Sequence, residues 1–364
     1  MKKIFLFFTI FFSCFFSLSK NTLAMDLYYR AQVTKVLEDK IITTNNTNQR
    51  TQTLELKIID SKNPNQSIIT VTNGAVLDNG EAVFSAQNYY QIDDWLYLSQ
   101  DINPLSGQII YQIADFDRSS AIFLLFMIFI IAVLLISSWH GLRSLLSMSF
   151  SFLAIFFFIL PNIYHGSNPI LIVTLGIIFI IPITFYLSHG LNKKTTAAII
   201  GTIISLFIAV TLSLIFIKLA KLTGTTSEES GFLLSLKPSF FNFKSILLSG
   251  IIIGVLGVID DITISQSAVV SQLRIANPKN KKIFFQAMVI GKDHISSMIN
   301  TLVLVYAGAS LPLLLLFVDN QLPIGQLISF EPIAEEIIRT LIGSIALIIA
   351  VPITTFIATK LIKN

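Results

Sequence analysis

The chain has 364 residues, 53% hydrophobic and only 13% charged, with a mean hydropathy of +0.75, which is the composition of a membrane protein. Its formal net charge of +4 comes from basic residues between apolar runs, and no basic stripe is interleaved with aromatics, so a nucleic-acid partner is excluded. The single cysteine, Cys14, lies in an N-terminal segment expected to be removed, which excludes disulfides and thiolate metal sites from the mature chain.

Lys2 and Lys3 precede an apolar run from Ile4 to Leu18, and Thr22-Leu23-Ala24 offers small residues for a signal peptidase before Met25. Residues 1–24 therefore read as a secretory signal peptide, with an uncleaved signal anchor as the alternative. Residues 25–118 are polar, with strand-like patches at Leu27 to Leu37, Gln52 to Ile59, Ser67 to Thr72, Trp95 to Leu98 and Gln108 to Ile113. Turn signals separate them at Asn45-Asn46, Asn63-Pro64-Asn65, Asn73-Gly74, Asn79-Gly80 and Asn103-Pro104. The pattern predicts a small all-β extracytoplasmic domain, a barrel or sandwich of the kind that includes the oligonucleotide/oligosaccharide-binding barrel.

Residues 119–364 predict a helical transmembrane domain. Apolar spans cover Ser119 to Ser138, Ser144 to Leu160, Pro169 to Leu187, Thr196 to Ile217, Ser245 to about Ala268, Ser296 to Val318 and Ile337 to Thr359, seven in all. With the N-terminal domain outside, the inner loops hold ten basic residues (Arg143, Lys193, Lys194, Arg274, Lys279, Lys281, Lys282, Lys292, Lys360 and Lys363). The outer loops hold four, Lys218, Lys221, Lys237 and Lys244. The positive-inside rule and the signal peptide thus agree on an inner-membrane protein with a cytoplasmic C-terminus. Pro182-Ile-Thr-Phe-Tyr-Leu and Pro352-Ile-Thr-Thr-Phe-Ile echo each other in spans predicted to run in the same direction.

Gly250 to Ala268 is the most informative stretch. At about 100° per residue, Gly250, Gly254, Gly257, Asp261, Ser265 and Ala268 share one helical stripe. The glycines predict a face packed against a neighbouring helix, and Gly308 is a further packing position.

Gly254-Val-Leu-Gly257-Val-Ile-Asp-Asp261-Ile-Thr-Ile-Ser265 resembles the glycine, glycine, aspartate, serine signature of the YibE/F-like membrane protein family. The stretches from Gly190 to Thr202 and from Gly291 through Asn300, Thr301 and Tyr306 to Gly308 are similar to it as well, as is Tyr90-Gln-Ile-Asp-Asp-Trp-Leu-Tyr-Leu in the N-terminal domain. The resemblance covers the chain after the signal peptide. It implies a multi-pass membrane protein with an N-terminal extracytoplasmic domain, and no activity. Asp260 stands where the family has an apolar residue and Ala268 where it has serine, so the family aspartate maps to Asp261.

A carboxylate at the centre of a membrane helix costs roughly 2.5 to 3.5 kcal/mol on insertion scales, so Asp260 and Asp261 need partners or water. If the span starts at Ser245, Asp261 lies roughly 24 Å along it at 1.5 Å per residue. Two readings stay open: an interfacial pair meeting Arg274 or Lys292, or Asp261 buried through the glycine stripe as a cation or proton site. Asp260 points about 100° away and reads as a bystander. Asn300 and Thr301 are expected to hydrogen-bond to the fifth span, as glue between helices or as part of a polar pocket. His140, His189 and His294 fall at predicted cytoplasmic helix ends, without the i, i+4 partners of a zinc helix, so no metal is expected.

Sequential aspartates on one helix do not form an aspartyl-protease dyad, and neither a Gly-x-Ser-x-Gly elbow nor a phosphate loop occurs, so neither an enzyme nor a cofactor is expected. The leading expectation is a transporter or permease for a small solute or ion, lined by Asp261, Ser265, Asn300 and Thr301. The alternative is a non-transporting scaffold or assembly factor whose exported β domain contacts a protein partner.

Overall fold

The computed structural model describes residues 28–44, 47–59, 68–73, 75–76, 82–84, 89–102, 107, 109–236, 240–319 and 323–362. The predicted signal peptide and the turn signals at 45–46, 63–65, 79–80 and 103–104 lie outside these residues. Contacts divide the chain into two compact units, Lys20–Leu135 and Ile136–Asn364.

The first unit contains an antiparallel sheet of five strands in the order β3-β2-β1-β6-β7. These are β1 (Tyr28–Thr44), β2 (Thr47–Ile58), β3 (Ile68–Asn73), β6 (Trp95–Ile102) and β7 (Ile109–Phe116). They coincide with the five predicted patches, while β1 and β2 extend further toward their shared turn. A two-stranded pair, β4 (Ala75–Val76) and β5 (Ala82–Phe84), was not foreseen. The first five residues of β1 pair with β6, and from Ala31 onward β1 pairs with β2. Register shifts between Val33 and Lys35 and between Val36 and Glu38 bend the long strand, as bulges do. The edge strands β3 and β7 come into contact without forming a ladder, so the sheet curls toward a barrel. Alternate residues Ala31, Val33, Leu54, Leu56, Leu96 and Leu98 are fully enclosed and form its core.

Polar ties complete that unit. Gln52, buried, donates from Nε2 to the Tyr90 carbonyl at 3.2 Å and accepts from the Tyr90 N–H at 2.8 Å, which fixes the segment leading into β6. Arg30 pairs with the enclosed Asp117 carboxylate at 2.5 Å and lies 4.2 Å from the Trp95 ring centroid. The Ser119 hydroxyl, and after it Arg30, hold the Asp117 carboxyl below the usual carboxylate range against the opposing effect of burial.

The remaining described residues are mainly helical: α1 (Ser119–Ala154), a π-turn (Ile155–Ile159), α2 (Leu160–Tyr164), α3 (Pro169–His189), α4 (Lys193–Leu219), α5 (Glu228–Leu236), α6 (Phe243–Ala276), α7 (Ile283–Ala309), α8 (Leu311–Asp319), α9 (Ile324–Ser329) and α10 (Glu331–Leu361). Asparagines start three of the long ones. Asn168, Asn192 and Asn242 accept backbone N–H groups of the first turns of α3, α4 and α6, satisfying donors that have no helical partner. Gly224, at φ +75°, lies so close to α6 that a Cβ would meet the Phe243 carbonyl oxygen at 2.5 Å, so the loop after α4 is clamped to the start of α6.

Among the described residues, five helical runs are long and apolar enough to cross a membrane: Ser119–Tyr164, Pro169–His189, Lys193–Leu219, Phe243–Ala276 and Glu331–Leu361. The expected count of seven is therefore not reached. The first two predicted spans form one 46-residue run, interrupted at Ser138, where the backbone turns to φ 46° and ψ −124°. The sixth is divided at Ser310 between α7 and α8, and α7 carries Lys292 and Asp293 along its length.

Inter-helix contacts define directions. Ser147 with Thr184 and Ile159 with Gly176 set α1 and its extension antiparallel to α3. Thr202 with Thr263, and Gly224 with Phe243, set α4 antiparallel to α6. Gly291 with Gln266 and Tyr306 with Gly254 set α7 antiparallel to α6, whereas Val255 with Gly343 and Gln266 with Thr355 set α10 parallel to it. Pro182 lies inside α3 and Pro352 inside α10. Leu171, Phe207, Phe285 and Leu304 are exposed on the outside of these helices, as expected of surface that lipid covers.

The break at Ser138 combines a positive φ with a ψ that favours glycine. Ser138→Gly is expected to stabilise the protein by about 1 kcal/mol and Ser138→Val to destabilise it by at least as much. Thermal unfolding in detergent checks both, and a glycine variant that melts no higher than the parent would count against strain at this position.

Candidate functional site

Helix α6 is apolar around most of its circumference, so the side it buries is decided by its neighbours. Ile252, Val255, Ile259, Ile262, Thr263, Gln266 and Val270 are enclosed by α4, α7 and α10. The glycine stripe lies about half a turn round from the centre of that face at 100° per residue. Gly250 and Gly257 are exposed, and a Cβ on either would meet nothing within 4 Å. Gly254 is half-buried, with only the Tyr306 hydroxyl nearby, 3.6 Å from the position of a Cβ. Gly308 on α7 also faces open space. Among the described residues nothing packs against Gly250, Gly257 or Gly308, the positions predicted to pack, so the glycine side of α6 is an open, shallow trough in its surface and close helix contact is made elsewhere.

Around α6 and α10, two other glycines do pack, Gly201 and Gly291. A Cβ on Gly201 would lie 2.2 Å from Thr354 Oγ1, so α4 and α10 touch almost backbone to backbone. A Cβ on Gly291 would lie 2.6 Å from Val351 Cγ1 and 3.0 Å from Gln266 Nε2. Around these crossings four helices share a polar core. Thr202 and Thr263 join their hydroxyls at 2.8 Å across α4 and α6. Gln266 donates from Nε2 to the Ala287 carbonyl at 2.9 Å on α7 and to Thr355 Oγ1 at 2.8 Å on α10. All four of these side chains are fully buried.

Other oxygens in the same region lack a partner. Ser205 Oγ on α4, Asp260 Oδ1 and Gln266 Oε1 on α6, and Thr354 Oγ1 on α10 are sealed from solvent without a hydrogen bond. Unsatisfied buried groups of this kind are rare in native proteins and mark places where water or an ion belongs.

The predicted lining residues are dispersed. Asp261 is exposed on the trough side of α6, within electrostatic range of His189 at the end of α3. Ser265 is half-buried, and Asn300 and Thr301 are exposed on α7. Asn300 sits half a turn round α7 from Gly291, and the Thr301 hydroxyl bonds back to the Ser297 carbonyl at 3.0 Å, so neither reaches α6 in the way expected. Asp260, read from sequence as a bystander, is the aspartate at the edge of the buried face.

No described basic side chain pairs with either aspartate. Arg274 instead donates to the Pro278 and Thr359 carbonyls, each at 3.3 Å, near the ends of α6 and α10. His294 lies within α7 and not at a helix end, with Nδ1 buried and unpartnered. Among the described residues no group of three or more His, Cys, Asp and Glu side chains could hold a metal ion.

The family model described as YibE/F-like protein matches residues 125–364. The chain belongs to the YibE/F-like family. The YibE/F-like match takes in α3, α4, α6, α7 and α10, and hence every residue of the polar core, but starts within α1 and leaves the β strands outside it. No curated protein and no solved structure matches the chain. Of the stretches that carried the family resemblance, Gly201-Thr202 and Gly291 sit at the tight helix crossings, while Gly254 to Ser265 spans both the trough and the edge where Asp260 lies.

Thr202, Ser205, Thr263, Gln266, Thr354 and Thr355 escaped sequence reasoning as individual sites. A signal for several of them was present: Ser249, Asp260, Thr263 and Ser267 fall within about 60° of one another on α6, and polar side chains in a membrane helix face its bundle.

Proposed function

We propose that this YibE/F-like protein is a multi-pass permease of the bacterial-type plasma membrane that moves a small ion through its helical domain, with residues 25–118 outside and the C-terminus in the cytoplasm. The orientation rests on the distribution of basic residues. The observation that carries the transport reading is the presence of sealed, unpartnered oxygens on α4, α6 and α10, Asp260 Oδ1 among them. A carboxylate among these oxygens attracts a cation and repels an anion. The reading is of a non-enzyme without a resident cofactor.

Charge movement tests it. Proteoliposomes adsorbed on a solid-supported membrane should give a current well above that of empty liposomes, and Asp260→Asn should reduce it at least tenfold while the melting temperature in detergent holds. Absence of any current, or a current indifferent to Asp260→Asn, would defeat the proposal. A second reading, a non-transporting scaffold or assembly factor, is favoured by the open glycine trough, which could seat a helix of a partner protein.

A further inference from the structure

We propose that the ion is a proton, carried by Asp260 and relayed by Ser205 and the hydroxyl pair of Thr202 and Thr263. This deepens the permease reading and rests on it. The spacing of the oxygens separates a proton from a metal cation. Thr202 faces Thr263 across the antiparallel helices α4 and α6, so three residues further along α4 and three residues back along α6 Ser205 falls at the level of Asp260. Both have an oxygen that is sealed and without a partner. Asp260, Thr263 and Gln266 follow one another at intervals of about 4.5 Å along the helix axis. Thr354, against Gly201, lies near the Gln266 end of this series.

A dehydrated metal cation needs several oxygens converging at about 2.3 to 2.6 Å, and a ladder with such steps does not supply them. The ladder suits hydroxyl relay, because each hydroxyl can accept a hydrogen bond on one side and donate on the other. The Thr202 and Thr263 hydroxyls already form one such link, at 2.8 Å. Thr263 also donates to the Asp260 carbonyl at 3.1 Å, which ties that link to the aspartate turn.

The step balances without a co-reactant. Asp260 takes a proton from water on one side, forming an O–H bond, and gives it through a bridging water to the Ser205 oxygen as Ser205 passes its own proton onward, because the two side chains share no direct hydrogen bond. To pass it on, Thr263 turns its O–H away from the Asp260 carbonyl and a water entering the enclosed core takes a proton from the Thr202 and Thr263 pair, after which the hydroxyls rotate back. The trough beside Gly257 leaves free space next to the carboxyl pair for that water.

Few charges surround the carrier. Asp261, next in the chain, acts on Asp260 electrostatically, and His189 of α3 acts on Asp261. Helix α7 carries His294 at the level of Ile264, while α4 and α10 bring only the hydroxyls of Thr202, Ser205, Thr354 and Thr355 to this part of the core.

The full-length protein in liposomes containing a pH-sensitive dye, with a potassium gradient and valinomycin setting the membrane potential, provides the test. Wild-type vesicles should change internal pH at least tenfold faster than empty ones. Asp260→Asn should return the rate to background, and Asp260→Glu should retain part of it. Ser205→Ala removes a hydroxyl that makes no hydrogen bond, so it should fold normally and slow the flux severalfold. A sodium or potassium current that Asp260→Asn abolishes, with no change in internal pH, would overturn the proton assignment and leave the permease reading standing. Proton flux that survives both Asp260→Asn and Ser205→Ala would overturn the assignment of the carrier. No charge movement of any kind would overturn both readings.

Discussion

Gly201→Leu is expected to destabilise the helical domain by about 3 kcal/mol or more, in the upper part of the range for overpacking a tight core. Even a methyl group at this position would lie 2.2 Å from Thr354 Oγ1, 3.1 Å from its Cβ and 3.3 Å from its Cα. The Thr354 hydroxyl can rotate away from a methyl, so Gly201→Ala should cost much less. Leucine cannot be accommodated that way, because its further carbons meet the backbone of α10 and force α4 off it. Thr202 would move with that displacement, and its hydrogen bond to Thr263 would be stretched or lost. Thermal unfolding in detergent should show a graded fall from glycine through alanine to leucine. A leucine variant that melts with the parent would mean that α4 and α10 are not in close contact.

Gln266 gives the second large effect. Gln266→Ala should cost about 2 to 4 kcal/mol, chiefly through the cavity left by a fully buried side chain. Its two hydrogen bonds to α7 and α10 add less, since such bonds in membrane bundles average about 0.6 kcal/mol and reach about 1.7. Gln266→Leu fills most of the volume and removes Oε1, the acceptor left without a partner, so it should lie within about 1 kcal/mol of the parent. Measuring both variants separates volume from polarity: a leucine variant as unstable as alanine would show that the hydrogen bonds dominate.

These residues explain how far the sequence could be read. The β strands were legible because alternation and turn residues act locally, and Leu54, Leu56, Leu96 and Leu98 repeat with the period of the pleat. The helix starts carried a local signal that the hydropathy bounds do not use, since Asn168, Asn192 and Asn242 cap through groups only two or three residues away. The side of α6 that faces the bundle was not legible. In lipid, the outside of a helix is as apolar as its inside, so hydropathy has no contrast to report, and glycine was taken as the sign of contact. Small residues permit close approach but do not bring a neighbour, and Gly250 and Gly257 have none among the described residues of the chain. The polar stripe through Asp260 and Thr263 was the better guide, because burying a polar group has a cost that its surroundings must offset. The count of seven spans is not confirmed: the first predicted span ends at Ser138, where the backbone breaks within one long apolar run, and the sixth is divided at Ser310, a break to which hydropathy averaged over a window is insensitive.

Pro352 gives the polar core a mechanical property. Without an N–H it leaves the carbonyl of Ile348 without its helical donor, which weakens α10 against bending there. Thr354 and Thr355 follow within one turn, one pressed against Gly201 and the other bonded to Gln266. A bend at Pro352 swings both threonines as one lever arm, so the grip of α10 on α4 and its grip on α6 loosen or tighten in the same stroke.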